Sequence, residues 1–138
     1  MAGRLAGKVA VVTGAGSIGP GWGNGKATSV LFAREGAKVV CVDINPEAAE
    51  QTRSIIESEG NQAIAVTCDV SRKDQVDAMV ETAVTAFGGI DIIDNNVGIV
   101  RVGGPVEIEE GDWDRVLDVN LKSAYLVCKA VIPAMLER

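Results

Sequence analysis

The sequence predicts an α/β domain: a parallel sheet with helices on both faces. Three observations carry the expectation. Apolar runs at 9–12 and 39–42 lack polar alternation, as strands covered on both sides do. Stretches between the strand signals repeat apolar residues every three or four positions, the spacing of helices with one buried face. Strand and helix signals alternate without a linker, repeat or low-complexity segment, so the crossovers are βα units and the strands pair in parallel.

The first strand, Val9-Ala10-Val11-Val12, ends at Thr13-Gly14, and glycine-rich residues follow through Gly25. Two placements of the next helix compete. Gly14-Ala15-Gly16-Ser17-Ile18-Gly19 matches G-x-G-x-x-G directly. The helix would then open through Gly21, Gly23, Asn24 and Gly25, and each internal glycine costs about 1 kcal/mol against alanine. Starting the helix near Gly25, with Asn24 as N-cap, avoids that cost and is the expected arrangement. The helix then runs from Lys26 to Glu35, and the second strand, 39–42, stops on Asp43. Gly25 precedes Asp43 by 18 positions, close to the roughly 20 between a phosphate-binding loop and a ribose-binding acid.

Asn45-Pro46 opens the next helix as cap and first-turn proline; Ala48, Thr52, Ile55 and Ile56 form its buried stripe and Gly60 closes it. Gln62 to Cys68 reads as the third strand, ending at Asp69. Ser71 is expected to cap the following helix, with Asp74 as a short-armed capping-box partner. Val76, Met79, Val80, Ala83 and Phe87 form that helix's stripe, and Gly88-Gly89 stop it. Ile90 to Asn95 is the fourth strand. A loop through Gly103-Gly104-Pro105 leads to a last helical region from about Asp112 onward. There Leu117, Leu121, Ala124, Cys128, Ile132 and Met135 mark one apolar face, and Pro133 is expected to bend the helix.

Composition narrows the function classes. The 138 residues make one domain at most, and 47% hydrophobic content with few aromatics suits a parallel sheet. A net charge of −6 without a basic run argues against nucleic acid and is read as favouring solubility. Cys41, Cys68 and Cys128 lie in apolar runs and read as buried reduced thiols. With no histidine, no C-x-x-C and no acid cluster at ligand spacing, no metal site is expected. No uninterrupted apolar run approaches the ~18 residues of a membrane span, and 1–8 is not a signal peptide, so the expected location is cytoplasmic.

Strand, glycine loop, helix, strand and acid is the order of a dinucleotide-binding βαβ unit, which makes the fold Rossmann-like. A diphosphate needs bare backbone N–H groups and the positive end of a helix dipole, and a Cβ would hold it off. Asp43, at the second strand's tip, can accept hydrogen bonds from both hydroxyls of the adenosine ribose. It would repel a 2′-phosphate, so NAD is expected over NADP.

Thr13-Gly14 followed by Gly23-Asn24-Gly25 resembles the T-G-x-x-x-G-x-G loop of short-chain dehydrogenases/reductases, enlarged by about five residues. Asn95-Asn96-Val97-Gly98 resembles the family's N-N-A-G, with valine for alanine; Asp69-Val70, Asn120 and their spacing also fit. The resemblance covers nearly the whole chain and implies a single cofactor-binding domain over 1–138 with strand order 3-2-1-4. The cofactor-binding residues expected are Gly14, Ser17, Gly23, Asn24 and Gly25 in the loop, Asp43 and Ile44 after the second strand, Asp69 and Val70 beside the adenine, and Asn96 and Gly98 after the fourth strand. Asn120 is then the asparagine of the catalytic tetrad, which holds a water in the proton relay and interrupts helical bonding. Asp94 departs from the pattern, since the family usually has an apolar residue there and a buried carboxylate needs a partner or a proton. Trp22, in the enlarged loop, either covers the cofactor or packs the loop, and the sequence does not decide.

Hydride transfer to a carbonyl needs a general acid and a nearby cation. The family supplies them as Y-x-x-x-K, with a serine on the preceding strand, all beyond the fourth strand and fifth helix. This chain ends at Arg138, so by resemblance it is C-terminally incomplete and is expected to be inactive alone. Tyr125-Leu-Val-Cys-Lys129 satisfies Y-x-x-x-K literally but begins only 5 residues after Asn120 on the same helix, and is read as a decoy. Three readings stay open: an NAD-dependent oxidoreductase acting on an alcohol or carbonyl once completed, a non-catalytic dinucleotide-binding module, and an inactive remnant or interaction protein. The family's subunit contacts imply a homo-oligomer joined through the last helix.

Overall fold

The structure is a computed structural model that describes residues 3–138. Residues 1 and 2, and with them the start of the segment read above as no signal peptide, lie outside the described residues.

Among the described residues, four strands, β1 (Val9–Thr13), β2 (Lys38–Asp43), β3 (Ala63–Thr67) and β4 (Ile92–Asp94), form one parallel sheet in the order β3-β2-β1-β4. The helices are α1 (Asn24–Arg34), α2 (Pro46–Ser58), α3 (Lys73–Phe87), α4 (Glu110–Leu117) and α5 (Ser123–Leu136). The expected strand order holds. The chain winds outward from β1 through β2 to β3, then returns to place β4 on β1's other side. That reversal opens a crevice at the carboxyl ends of the strands.

The apolar runs of β1 and β2 fail to alternate because the sheet has a core on each face. Val11, Val40 and Val42 face α3 and α5, meeting Val76, Met79, Val127 and Val131. Ala10, Val12, Val39 and Cys41 face the other way, toward Val30, Ala33 and Ile56 of α1 and α2. Each fully buried valine contributes roughly 1.5–3 kcal/mol. Gly60 and Gly88 end α2 and α3 at φ of +83°, a conformation that favours glycine.

Two caps behave differently. Asn45 caps α2 as expected, its side chain accepting from the amides of Glu47 (3.0 Å) and Ala48 (3.3 Å), with Pro46 in the first turn. Ser71 does not cap α3. That helix begins at Lys73 after Arg72, and the Ser71 hydroxyl donates instead to Asp69 Oδ1 at 2.6 Å. Asp74 pairs with Arg72 rather than reaching back. With Arg72 at the N-cap position, the Ser71 hydroxyl lies one residue too early to cap and is oriented by its bond to Asp69.

The last helical region also departs from expectation. Its irregularity is a π turn, Asp118–Lys122, between α4 and α5, while α5 continues through Pro133 to Leu136. The stripe read as one apolar face is largely outward: Leu121 and Ile132 are exposed, and the core contacts come from Val119, Ser123, Leu126, Val127 and Val131. Apolar residues lie on most sides of α5, so periodicity could not choose the inward one. The run Glu110–Leu136 is long and apolar enough, by length and composition, to cross a membrane, although Lys122 and Lys129 break any continuous apolar run. Val127 and Val131 on this run are buried in the core with α3. Cys41 and Cys68 are buried free thiols, whereas Cys128 is only half-buried, correcting its reading as a buried residue.

Asp94 sits on β4, at the sheet edge, half-buried and with no side-chain partner among the described residues. Its edge position therefore relieves the burial only in part, and desolvation pushes the carboxyl above the ordinary aspartate range. A raised folded-state value means that its contribution is fully present below the unfolded-state range and lost as pH rises through the folded value. Asp94→Asn is expected to raise the thermal midpoint at about pH 7 and to leave it unchanged at about pH 3, where aspartate is largely protonated. Equal midpoints at neutral pH would mean that the carboxylate is adequately solvated.

Candidate functional site

A cavity of about 670 Å3 opens at the carboxyl ends of the strands. All eleven residues expected to bind a cofactor line it: Gly14, Ser17, Gly23, Asn24 and Gly25 after β1, Asp43 and Ile44 after β2, Asp69 and Val70 after β3, and Asn96 and Gly98 after β4.

The floor is a contact between backbones. A Cβ on Gly25 would lie 1.8 Å from the Gly14 carbonyl oxygen and 2.6 Å from Asn96 Nδ2, so α1 can approach β1 this closely only with glycine there. Gly14 itself has φ of +65°. Asn96 ties the same corner together, its Nδ2 donating to the carbonyls of Thr13 (3.2 Å) and Gly14 (3.1 Å) and its amide to Thr13 Oγ1 (3.2 Å). The Thr13 hydroxyl in turn donates to the Asp94 carbonyl at 3.1 Å. Asn96 thus pins the end of β4 to β1, whereas Asn95 turns away toward Cys128 Sγ.

The helix begins where the second placement put it, but Asn24 is its first residue and not its cap. Gly23 occupies the N-cap position, and no side chain caps the helix. The Gly23 amide donates to Ser17 Oγ at 2.8 Å, and that hydroxyl donates to the Gly21 carbonyl at 3.1 Å, closing the base of the enlarged loop. First-turn amides have no partner within their own helix. At α1 they lack a side-chain substitute as well and adjoin the cavity, an arrangement suited to an anion.

Asp43 stands at the β2 tip. One carboxylate oxygen accepts from the Gly16 amide (2.9 Å) and the other from the Asn45 amide (3.0 Å). A carboxylate offers about four acceptor sites, so each oxygen keeps capacity for a hydroxyl in the cavity. Asp69 is half-buried at the β3 end. Burial alone would raise its carboxyl, but the hydroxyl and amide of Ser71 and the charges of Arg115 and Arg72 outweigh that and hold it below the usual range.

Asn120 lies in the π turn and does not line the cavity; its neighbour Val119 does. Its side chain bonds the backbone of Ile99 in both directions, accepting from the amide at 2.8 Å and donating to the carbonyl at 2.9 Å. Ile99 is itself a lining residue, so Asn120 braces the loop after β4 from behind. Tyr125 and Lys129 hydrogen-bond each other at 3.2 Å, but Tyr125 lines a separate groove with Leu117, Leu121 and Cys128.

Sequence reasoning missed Arg115, which lines the cavity from α4 and reaches toward Ser71 Oγ at 3.4 Å. It missed Thr52 too, whose buried hydroxyl holds the Ala15 carbonyl at 2.8 Å and steadies the loop from α2. Helical spacing put Thr52 on the buried stripe of α2 but did not reveal its bond to the loop, and no spacing marks Arg115. The sequence signal for the loop corner was Thr13-Gly14 itself.

This crevice, with bare amides at a helix start and an acid at the second strand's tip, belongs to a class of dinucleotide-binding α/β proteins. The comparisons with known proteins give the family: the model of the short chain dehydrogenase family matches residues 8–138, and the chain belongs to that family of oxidoreductases, which use nicotinamide cofactors. It is 39% identical to the 3-oxoacyl-(acyl-carrier-protein) reductase FabG of Thermotoga maritima over 98% of this chain and 53% of that protein. It is 37% identical to the D-threitol dehydrogenase of Mycolicibacterium smegmatis over 97% of this chain and 50% of that one. Among solved structures, one described as a short-chain dehydrogenase/reductase from Burkholderia xenovorans superposes with a TM-score of 0.95 at 46% identity, covering 99% of this chain and 54% of that one. The hydroxysteroid dehydrogenase of Escherichia coli superposes at 0.83 and 31% identity, covering 97% and 55%. The chain spans about half the length of the relatives it matches.

Gly25→Ala tests the floor. Alanine would improve helix propensity by about 1 kcal/mol, but overpacking a fixed backbone contact costs about 1–3 kcal/mol or more. The expected outcome is net destabilisation in denaturant unfolding; a more stable variant would mean that α1 can shift away from β1.

Proposed function

We propose that this chain is the cofactor-binding portion of an NAD-dependent oxidoreductase, transferring hydride between nicotinamide and an alcohol or carbonyl of a small-molecule substrate. The observation that carries the reading is Asp43, whose carboxylate faces the same cavity as the uncapped α1 start and keeps acceptor capacity on both oxygens. In this reading the diphosphate lies on the first-turn amides near Gly23, Asn24 and Gly25, and Asp43 takes the adenosine ribose hydroxyls. Ser17 and Ile44 flank that sugar, Asp69 and Val70 border the adenine, and Asn96 and Gly98 pass the nicotinamide side.

The cofactor supplies the hydride when bound. The residues described here bind and orient it, and Asn120 positions the backbone of Ile99 beside the cavity. Tyr125 takes no part, because it faces a different groove. A charged 2′-phosphate beside Asp43 would meet like charge without an ion-pair partner at the β2 tip among the described residues, which supports NAD over NADP.

Titration calorimetry with NADH and NADPH checks this directly. The chain should bind NADH more tightly, and Asp43→Ala should weaken NADH binding by about tenfold or more, the order expected for removing a charged hydrogen-bond acceptor. The preference for NADH over NADPH should shrink with it. An unchanged preference in the variant removes Asp43 from the site.

The same reading places the protein in the cytoplasm as a homo-oligomer. Its buried free thiols Cys41 and Cys68 support the compartment, and the outward Leu117, Leu121, Tyr125 and Ile132 support association through the last helix. Sedimentation velocity is expected to show a concentration-dependent dimer. A monomer at the highest attainable concentration sinks that part of the proposal.

A further inference from the structure

The glycine-rich loop carries more than a phosphate cradle requires. Between Ser17 and Gly23 it presents two large apolar side chains at the cavity, Ile18 and Trp22, and both line it. Neither is covered by the loop: Ile18 is 108% exposed and Trp22 57% exposed. Exposed apolar groups are ordinary when scattered. These two stand together at the mouth of a cavity built for a ligand.

Lys26 gives the loop its posture. A cation in the first turn of a helix is opposed by the helix dipole, yet Lys26 finds compensation within the loop. Its Nζ lies 5.1 Å from the centroid of the Trp22 ring and 3.5 Å from the Gly21 carbonyl oxygen. The Ser17 hydroxyl closes the base by bridging the Gly21 carbonyl and the Gly23 amide. The indole is thereby held one residue before Gly23, next to the uncapped amides of α1. The loop's outer turn has room around it, since a Cβ on Gly19 or Gly21 would meet nothing within 4 Å.

We propose that the enlarged loop is a second, apolar wall of the dinucleotide site, in which Ile18 and Trp22 close over the bound cofactor beside its diphosphate while Lys26 clasps the indole. This rests on the dinucleotide reading above. Closure buries apolar surface that is wet in the free protein and excludes water from the diphosphate–amide hydrogen bonds, which strengthens them in a lower local dielectric. The wall acts chiefly on the rate at which cofactor leaves.

The test uses the whole chain and NADH. Of its two tryptophans, Trp113→Phe removes one and leaves Trp22 as the sole indole, whose emission overlaps NADH absorption. NADH should quench that emission with the same midpoint that calorimetry gives. Ile18→Ser combined with Trp22→Ala should raise Kd about tenfold, mainly through faster dissociation in stopped flow, with an unchanged thermal midpoint because both side chains are exposed. Lys26→Met should lie between. If NADH binds, Asp43→Ala weakens it, and the double loop variant keeps both the wild-type Kd and dissociation rate, the wall is overturned and the dinucleotide reading stands. If NADH does not bind the unaltered chain, both fall.

Discussion

The site depends on how closely two backbones approach. Where α1 begins, Gly25 lies against the carbonyl of Gly14, at a distance no side chain could share. Asn96 then reaches the same carbonyl from β4. The end of β1, the start of α1 and the loop after β4 therefore meet at a single corner. Everything facing the cavity is hung from that corner: the free amides of α1, the loop that closes through Ser17, and the Asn96–Ile99 segment braced by Asn120.

Charge in the cavity is arranged by backbone more than by cationic side chains. The Asp43 carboxylate is anchored by two amides, one from the loop and one from its own turn, so it is oriented before any ligand arrives. Ser71 and the arginines beside it hold the Asp69 carboxyl below its usual range. At the other pole, α1 offers donors without a capping oxygen to compete for them. Acid at one place and bare N–H groups at another match a ligand that carries sugar hydroxyls next to a diphosphate.

Much of this was legible in the residues because it follows from local physics. The strands at 9–12 and 39–42 announce themselves by being apolar on both faces, and the cost of glycine inside a helix placed the start of α1 after the enlarged loop. What was not legible turned on competition between partners. Ser71 has the composition of a cap, but the helix starts one residue later than that role needs and the hydroxyl donates to Asp69 instead. Asn24 has the same composition, yet the helix takes it in as its first residue and leaves Gly23 at the cap position. On α5 the apolar residues surround the helix, and only packing against α3 selects Val127 and Val131 as the inward pair. Arg115 reaches the cavity from an element far along the chain, and no pattern within its own segment reveals that.

The π turn at Asp118–Lys122 has a geometric consequence for everything after it. A wide turn accommodates one more residue than an α-turn does, and each residue advances a helix by about 100°. Winding the same residues into a regular α-helix would swing α5 by nearly a third of a revolution. The sequence neighbours of Val127 and Val131 would then turn toward α3 in their place, and Asn120 would lose its grip on Ile99. The bulge thus works as a fixed phase setting between the half of the helix that serves the cavity and the half that serves the core.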